Sequence, residues 1–209
     1  MVIGLSKLID PSLPIALDTS VVINLASTDI ANRILRALPN SVFVIDAVQD
    51  DLARNPGKDR RAFDVLAELI QAATVRLATV SDFNQGYFEA LVSGSGPDTL
   101  DDGEAATIAY ALEQNATAIL DERKALRICR ERYPALQAAS TIDILSHPSI
   151  ERFLGRDLLC NALMKALDAH MRVLPDHIDW LVDLLGAEKV AEYASVPASI
   201  RASLSKPTS

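Results

Sequence analysis

Short apolar runs alternate with helical patterns between residue 14 and about residue 145. The runs at 14–18, 42–45, 75–80, 117–120 and 138–140 have the length and composition of strands that are buried in a sheet. The segments between them repeat hydrophobic residues at helical spacing, which predicts helices. This alternation is typical of an α/β fold, and we expect a mainly parallel central sheet with helices packed on it.

The pattern changes after His147-Pro148. Residues 150–174 and 178–185 predict helices, and Leu159, Leu163 and Leu167 lie on one side of the first of these. We therefore divide the chain into residues 1–149 and a helical C-terminal extension, residues 150–209. We expect the extension to pack on the first part or on a second subunit.

Composition narrows the class of protein. Hydrophobic residues make up 49% of the chain but aromatic residues only 5%, so the core must consist of Ala, Leu, Ile and Val. No apolar stretch reaches the length of a membrane span, and residues 1–10 lack the features of a secretory signal. The cysteines, Cys129 and Cys160, form no metal-binding pair. We expect a cytoplasmic protein with free thiols, no membrane contact and no structural zinc.

Negative charge is concentrated in the first part of the chain. Residues 1–149 hold 20 acids and 13 Lys or Arg, a balance of −7, whereas residues 150–209 hold 8 and 7, a balance of −1. This distribution argues against an extended surface for nucleic acids, which is usually basic. Clustered carboxylates usually require a positive partner, most often a divalent ion.

Acidic residues occur at four successive junctions between a strand and the following helix. They are Asp18, Asp51, Glu104 and Asp121 with its neighbour Glu122. Because the carboxyl ends of parallel strands meet at one edge of a sheet, we expect these side chains to converge there. Several carboxylates at one edge could bind Mg²⁺ or Mn²⁺ through oxygen, and two such ions about 4 Å apart could act on a phosphate.

Helix capping is the alternative interpretation of these acids. Asp18, Asp101 and Asp121 precede predicted helices, and Asp is a preferred N-cap residue. We also interpret Asp102 as a cap. Asp51 lies too far inside its helix to be a cap and could be a solvated surface residue. The pattern alone leaves both interpretations open.

The order of these acids resembles that of the PIN-domain family. The matching segments are Ile15-Ala16-Leu17-Asp18-Thr19-Ser20-Val21-Val22-Ile23-Asn24-Leu25, Val48-Gln49-Asp50-Asp51-Leu52, Leu100-Asp101-Asp102-Gly103-Glu104-Ala105 and Ala118-Ile119-Leu120-Asp121-Glu122-Arg123-Lys124-Ala125. The resemblance covers about residues 14–145. It implies a three-layer α/β/α sandwich and a metal-dependent nuclease, which in this family most often acts on RNA. Many members of the family are dimeric toxins of type II toxin–antitoxin pairs.

The resemblance also implies roles for individual residues. Asp18, Asp51, Glu104 and either Asp121 or Glu122 would be the catalytic ligands of Mg²⁺ or Mn²⁺. The supporting polar groups beside the substrate would be Thr19, Ser20 and Asn24.

Basic residues follow the fourth predicted strand and could contact RNA phosphates. They are Arg123, Lys124, Arg127, Arg130 and Arg132, and a second group is Lys58, Arg60 and Arg61. The alternative is a solvated helix face whose charge is balanced by Glu122 and Glu131. We expect His147, His170 and His177 to be surface or partner-facing residues, and Trp180 to serve packing.

We therefore predict an endoribonuclease that hydrolyses RNA phosphodiester bonds and leaves a 5′-phosphate and a 3′-hydroxyl. It would be a homodimeric toxin with a protein antitoxin as its partner. One alternative is a catalytically inactive scaffold, because Asp51 stands where the family usually has Glu. Others are an RNA-processing or DNA nuclease outside a toxin–antitoxin system. A phosphatase of the haloacid type is disfavoured, because Ser20 replaces the second Asp of its Asp-x-Asp motif.

Overall fold

The fold is that of a computed structural model, which describes residues 10–54, 60–81, 85–93 and 98–204. Lys58, and with it part of the second predicted basic group, lies outside the described residues.

A sheet of parallel strands forms the centre of the molecule. The strands are β1 (Ile15–Leu17), β2 (Val42–Ile45), β3 (Arg76–Ala78), β4 (Thr117–Ile119) and β5 (Ala138–Ala139). Their order is β3-β2-β1-β4-β5, and all the pairs are parallel. The chain builds outward from β1 on one side, then crosses to β4 on the other. This crossing produces a switch point between β1 and β4, where open α/β sheets bind ligands.

Helices connect the strands and continue beyond them. They are α1 (Thr19–Ser27), α2 (Ala31–Ala37), α3 (Asp46–Arg54), α4 (Arg60–Gln71), α5 (Gln85–Val92), α6 (Asp102–Gln114), α7 (Arg123–Arg132), α8 (Thr141–Leu145), α9 (Pro148–Leu154), α10 (Arg156–Asp168), α11 (Ile178–Leu185), α12 (Ala187–Glu192) and α13 (Ala198–Leu204), with a 3-10 turn at Pro175–His177. The prediction of one helix over 150–174 is wrong. Gly155, at φ +80°, separates α9 from α10, and α10 ends at Asp168.

Alternate residues of the strands face two different helical layers. Leu17 of β1 and Val44 of β2 belong to one buried cluster, together with residues of α1, α3 and α4. Ala16 of β1 and Ala118 of β4 point to the other face, which residues of α6 and α7 cover. Because both faces of the sheet are covered, its strands are apolar on both sides. The predicted three-layer sandwich is confirmed.

The C-terminal extension packs on the described part of residues 1–149, which we call the sheet domain. Leu159, Leu163 and Leu167 of α10 are buried in the same cluster as Leu17, and α10 lies against α1. Trp180 of α11 packs against the edge of this cluster. The extension therefore adds to a core that the first part of the chain begins, as expected for packing on that part.

The remaining general expectations concern membranes and thiols. Within the described ranges, no helix has both the length and the apolar character that crossing a bilayer requires. Cys129 and Cys160 are free, as predicted. Burial raises the pKa of the Cys129 thiol to about 12, so this side chain is an unreactive part of the core.

The shared core predicts that the extension unfolds together with the sheet domain. Trp180 is the single tryptophan of the chain and lies in the extension, so its fluorescence reports that part, whereas far-UV circular dichroism reports the whole chain. We expect both signals to give the same urea midpoint. An earlier fluorescence transition would instead show that residues 150–209 unfold as an independent domain.

Candidate active site

Asp18 stands directly after β1 and begins α1. Its backbone N–H donates to Ile119 O of β4 at 3.2 Å, which places it at the switch point of the sheet. Oδ2 accepts from Ser20 N at 3.2 Å and from Ser20 Oγ at 2.7 Å, so Asp18 is an N-cap, as the alternative interpretation predicts. Capping uses only one carboxylate oxygen, however. Oδ1 is buried and has no hydrogen-bond partner among the described residues.

The N-terminus of α6 brings a second acidic group to the same place. Asp101 caps the helix by accepting from Glu104 N at 2.8 Å, and Glu104 Oε2 accepts in turn from Asp101 N at 3.4 Å. This reciprocal arrangement is a capping box, and it fixes the position of the Glu104 carboxylate. The expectation that Asp102 is the cap is wrong. Asp102 is the first residue of α6 and pairs with Arg54 at 3.5 Å.

Gly103 allows the N-termini of α6 and α1 to approach each other. A Cβ atom at this position would lie 2.8 Å from Thr19 Oγ1 and 3.4 Å from Asp18 Oδ1. Contacts between real Cβ atoms and their neighbours are almost never as short as the first of these. The Thr19 hydroxyl is also buried and has no hydrogen-bond partner in the part of the chain that the structure describes. The close approach therefore encloses two unpartnered oxygen atoms beside Gly103.

The enclosed carboxylates have strongly perturbed proton affinities. Burial raises the pKa of Asp18 to about 7, and the charge of Asp101 adds to this effect against the Ser20 hydrogen bonds. Burial also raises the pKa of Glu104 to about 7, with further contributions from the charges of Asp101 and Asp18. Lys124 opposes the rise for Glu104. Asp18, Asp101 and Glu104 thus form one mutually repelling group.

Asp121 occupies the end of the neighbouring strand. It follows β4, is buried, and accepts hydrogen bonds from Thr141 N at 2.8 Å, from Thr141 Oγ1, and from Asn24 Nδ2 at 2.7 Å. Burial raises the pKa of Asp121 in spite of these donors. Asn24 was predicted to be a supporting polar group. Its amide donates to Asp121, so it connects α1 to the end of β4.

A buried network extends from Asp121 into the C-terminal extension. Thr141 begins α8, whose cap Ser140 is bonded to Asp143. Asp143 Oδ1 lies 3.0 Å from His177 Nε2, and both side chains are almost fully buried. The expectation that His177 is a surface residue is therefore wrong. No local pattern could reveal this pair, because 34 positions separate the two residues.

The other two predicted acids lie at the sides of this group. Glu122 is half-exposed and pairs with Arg172 of the extension at 3.0 Å. Asp51 is partly buried on α3, which packs against α6. Arg54, three positions after Asp51, pairs with Asp102 at the start of α6. Residues three positions apart share a helix face, so Asp51 is on the side of α3 that approaches the site.

The predicted basic residues have different surroundings. Lys124 Nζ donates to Thr99 O at 2.6 Å, whereas Arg123 is exposed at the start of α7. Arg127 pairs with Asp98 at 2.6 Å and with Glu131 at 2.8 Å. At this position the solvated, balanced helix face is the better description. Lys124 is the member of the group that acts electrostatically on the acidic site.

The donor set can be compared with the needs of a divalent cation. Within the described ranges, no three His, Cys, Asp or Glu side chains are arranged to hold a metal ion. Two features nevertheless fit a cation at the start of α1 and α6. Asp18 Oδ1 and Thr19 Oγ1 are buried oxygen atoms that accept no hydrogen bond from a described residue. The charge of Asp18 raises the pKa of Glu104, and a cation beside the two carboxylates would offset this repulsion.

The raised pKa of Asp18 predicts a pH-dependent loss of stability. Its folded pKa of about 7 exceeds the ordinary pKa of 3.8 for an Asp side chain, so the folded state binds the proton more tightly than the unfolded state does. Asp18 therefore does not lower the free energy of unfolding below pH 3.8. Its destabilising effect grows from there to about pH 7 and is constant at higher pH. Asn caps helices as well as Asp does, so we expect Asp18→Asn to raise the free energy of unfolding at pH 8 by about 2 kcal/mol.

Urea unfolding of this variant across pH checks that expectation. The difference from the wild type should vanish near pH 4. Asp50→Asn, which neutralises an exposed carboxylate, is the control and should change little. A destabilised Asp18→Asn protein at pH 8 would contradict the account.

The close approach at Gly103 predicts opposite effects for the same substitution at two glycines. Gly103→Ala forces α6 away from Thr19 and should destabilise the protein by about 1–3 kcal/mol. A Cβ atom at Gly86 in α5 meets no atom of a described residue within 4 Å, so Gly86→Ala should stabilise the helix by roughly 0.5–1 kcal/mol. Thermal denaturation measures both. Equal effects at the two positions would contradict the geometry.

A family model described as a PIN domain matches residues 14–186, which includes β1 to β5 and the extension as far as the end of α11. Searches of curated proteins and of solved structures found no match. PIN domains are nucleases and generally use divalent metal ions. Because the match covers most of the sequence, the chain belongs to the PIN-domain family.

Proposed function

We propose that this PIN-domain protein is an endoribonuclease that hydrolyses RNA phosphodiester bonds with the help of Mg²⁺ or Mn²⁺. The observation that carries the proposal is the buried, mutually repelling pair Asp18 and Glu104 at the switch point of the sheet. Carboxylates that serve only as caps have no need to be buried together.

Each acid has a definite place in the proposed site. Asp18 and Glu104 would hold a cation between the N-termini of α1 and α6, with Asp101 adding negative charge. Asp121 would approach from the end of β4, where Asn24 and Thr141 fix its orientation. Asp51 would enter from α3. Thr19 contributes a hydroxyl that is already free of other partners among the described residues.

When bound, a divalent ion lowers the pKa of water and stabilises charge on a phosphate, and it prefers carboxylate oxygen ligands. The residues of the chain supply position and environment for this chemistry. The buried carboxylates lose little freedom on binding a cation, because a capping box fixes Glu104 and the Ser20 hydrogen bonds fix Asp18. Lys124 offsets part of the negative charge beside Glu104.

A scaffold without activity is the main alternative function. The observation in its favour is Asp51, which is shorter by one methylene than the Glu that the family usually has. Asp51 forms no ion pair or hydrogen bond with another described residue, so its carboxylate is available to a cation. We therefore favour the enzyme.

RNA cleavage tests the proposal directly. We expect the wild type to cleave single-stranded RNA with Mg²⁺ or Mn²⁺ and to stop when EDTA is added. Asp18→Asn and Glu104→Gln should lower the rate at least about 100-fold, because each removes one negative charge from the cation site. Both should fold normally, since neutralising a buried acid relieves desolvation.

Asp143→Asn is an informative third variant. Asp143 is a buried acid that is hydrogen-bonded to Ser140, the cap of α8, and Thr141 is the first residue of that helix. Because its connection to the site is indirect, we expect a smaller loss of rate than for Asp18→Asn. Undiminished cleavage by Asp18→Asn would contradict the proposal, as would cleavage that resists EDTA.

We also propose the role of a toxin in a type II pair, on the basis of the family and the compact site. Expression of the wild type should then arrest growth. The Asp18→Asn protein should not, and the product of a neighbouring gene should restore growth. Normal growth with active enzyme would leave the protein as an RNA-processing nuclease.

A further inference from the structure

A small cleft beside Asp121 is formed jointly by the sheet domain and the C-terminal extension. It has a volume of about 180 Å³. The sheet domain contributes residues of α1 and of the β4–α7 junction, and the extension contributes two basic side chains. The residues that matter here are Ser20, Asn24, Asp121, Glu122, His170 and Arg172.

The end of α10 turns the extension toward this cleft. His170 N–H donates to Leu167 O and Met171 N–H donates to Ala166 O, which is the hydrogen-bond pattern of a Schellman motif. His170 takes the left-handed conformation that the motif requires, at φ +65°. The chain therefore reverses at His170 and continues as a segment without regular secondary structure, residues 171–174, whose last residue, Leu174, has extended backbone.

This segment fixes the position of Arg172. Met171 is 1% exposed and Val173 is fully buried, and both belong to the main core cluster. The burial of these two neighbours leaves the Arg172 side chain directed away from the core. There its guanidinium pairs with Glu122 at 3.0 Å.

The Glu122 pair leaves Arg172 available to another partner. The two side chains are 41% and 40% exposed, and ion pairs this exposed contribute little to stability. A guanidinium binds phosphate in the same bidentate manner as it binds carboxylate, so a phosphate can replace the exposed Glu122 as its partner. Ser20 and Asn24, which also line the cleft, are hydrogen-bonded to Asp18 and Asp121. Arg172 therefore lies on the wall that leads to the acidic site.

We propose that Arg172 contacts a phosphate of the RNA strand bound at this site, and that Glu122 holds the guanidinium in position until RNA replaces it. This proposal rests on the proposed ribonuclease function and adds a substrate contact that the extension provides. It explains why an acidic protein can attract RNA at an acidic site. The positive charge that the RNA strand meets is the guanidinium of Arg172, on the wall of the cleft.

A purely structural role for Arg172 is the competing explanation, since the pair with Glu122 also connects the extension to β4. The salt dependence of binding separates the two. Each phosphate contact with a single strand contributes about −0.7 to the slope of log K against log salt concentration. Loss of a structural ion pair does not change that slope.

The experiment measures binding of a short, fluorescently labelled single-stranded RNA over a range of KCl concentrations. All proteins carry Asp18→Asn, which prevents cleavage and preserves the fold. Arg172→Met should weaken binding about tenfold and make the slope shallower by about 0.7. Arg172→Lys should keep most of the slope, because it keeps the charge. Arg156→Met is the matched control, since Arg156 forms exposed ion pairs within the extension, with Glu151 and Asp183, away from the cleft.

The outcomes separate the two proposals. Absence of cleavage by the wild type contradicts the proposed function. Cleavage by the wild type together with an unchanged slope for Arg172→Met overturns only the role of Arg172, as does an equal change for Arg156→Met. Thermal denaturation of every variant identifies loss of fold. If Arg172→Met does not fold, Arg172→Gln replaces it: a shallower slope supports the phosphate contact, and an unchanged slope overturns it.

Discussion

The candidate site is built around negative charge that is buried where two helices begin. Asp18 and Glu104 stand at the N-termini of α1 and α6, and Gly103 brings these ends together without room for a Cβ atom. Helix N-termini favour acidic side chains, and each acid makes capping hydrogen bonds. Burial nevertheless outweighs these favourable terms, because the pKa of both groups rises to about 7. The site thus retains charge that the fold alone does not need.

The acids also explain how the extension is connected to the site. Asp121 is oriented by Asn24 and Thr141, and Thr141 belongs to a short helix whose cap is bonded to Asp143. His177 then joins Asp143 to the extension. A second connection runs from Glu122 to Arg172. Through these contacts the extension supports Asp121 and places the guanidinium of Arg172 next to Glu122. It also completes the core.

The sequence predicts those features that depend on local pattern. Strands β1 and β2 and helix α11 could be located within a residue, because apolar runs and helical periodicity set their limits. Asp18 and Asp121 could be assigned to the same sheet edge, because parallel strands place their carboxyl ends together. The broken helix at Gly155 was missed, since the apolar pattern continues across it while one positive φ interrupts the backbone.

Features that depend on long-range packing could not be predicted. A local signal was available for one further feature: Asp101-x-x-Glu104 has the spacing of a capping box, which favours Asp101 over Asp102 as the cap. The pairs His177 with Asp143 and Arg172 with Glu122 have no such signal. They join parts of the chain 34 and 50 positions apart, and only the packing of the extension brings them together.

The central claim is that the charge on Asp18 and Glu104 is maintained for a cation. The most direct measurement is the thermal midpoint at pH 8 as a function of Mn²⁺ concentration, because a ligand that binds only the folded state stabilises it. The account predicts a midpoint that rises with Mn²⁺ for the wild type and stays nearly constant for Asp18→Asn and Glu104→Gln. Equal responses of all three proteins would contradict it.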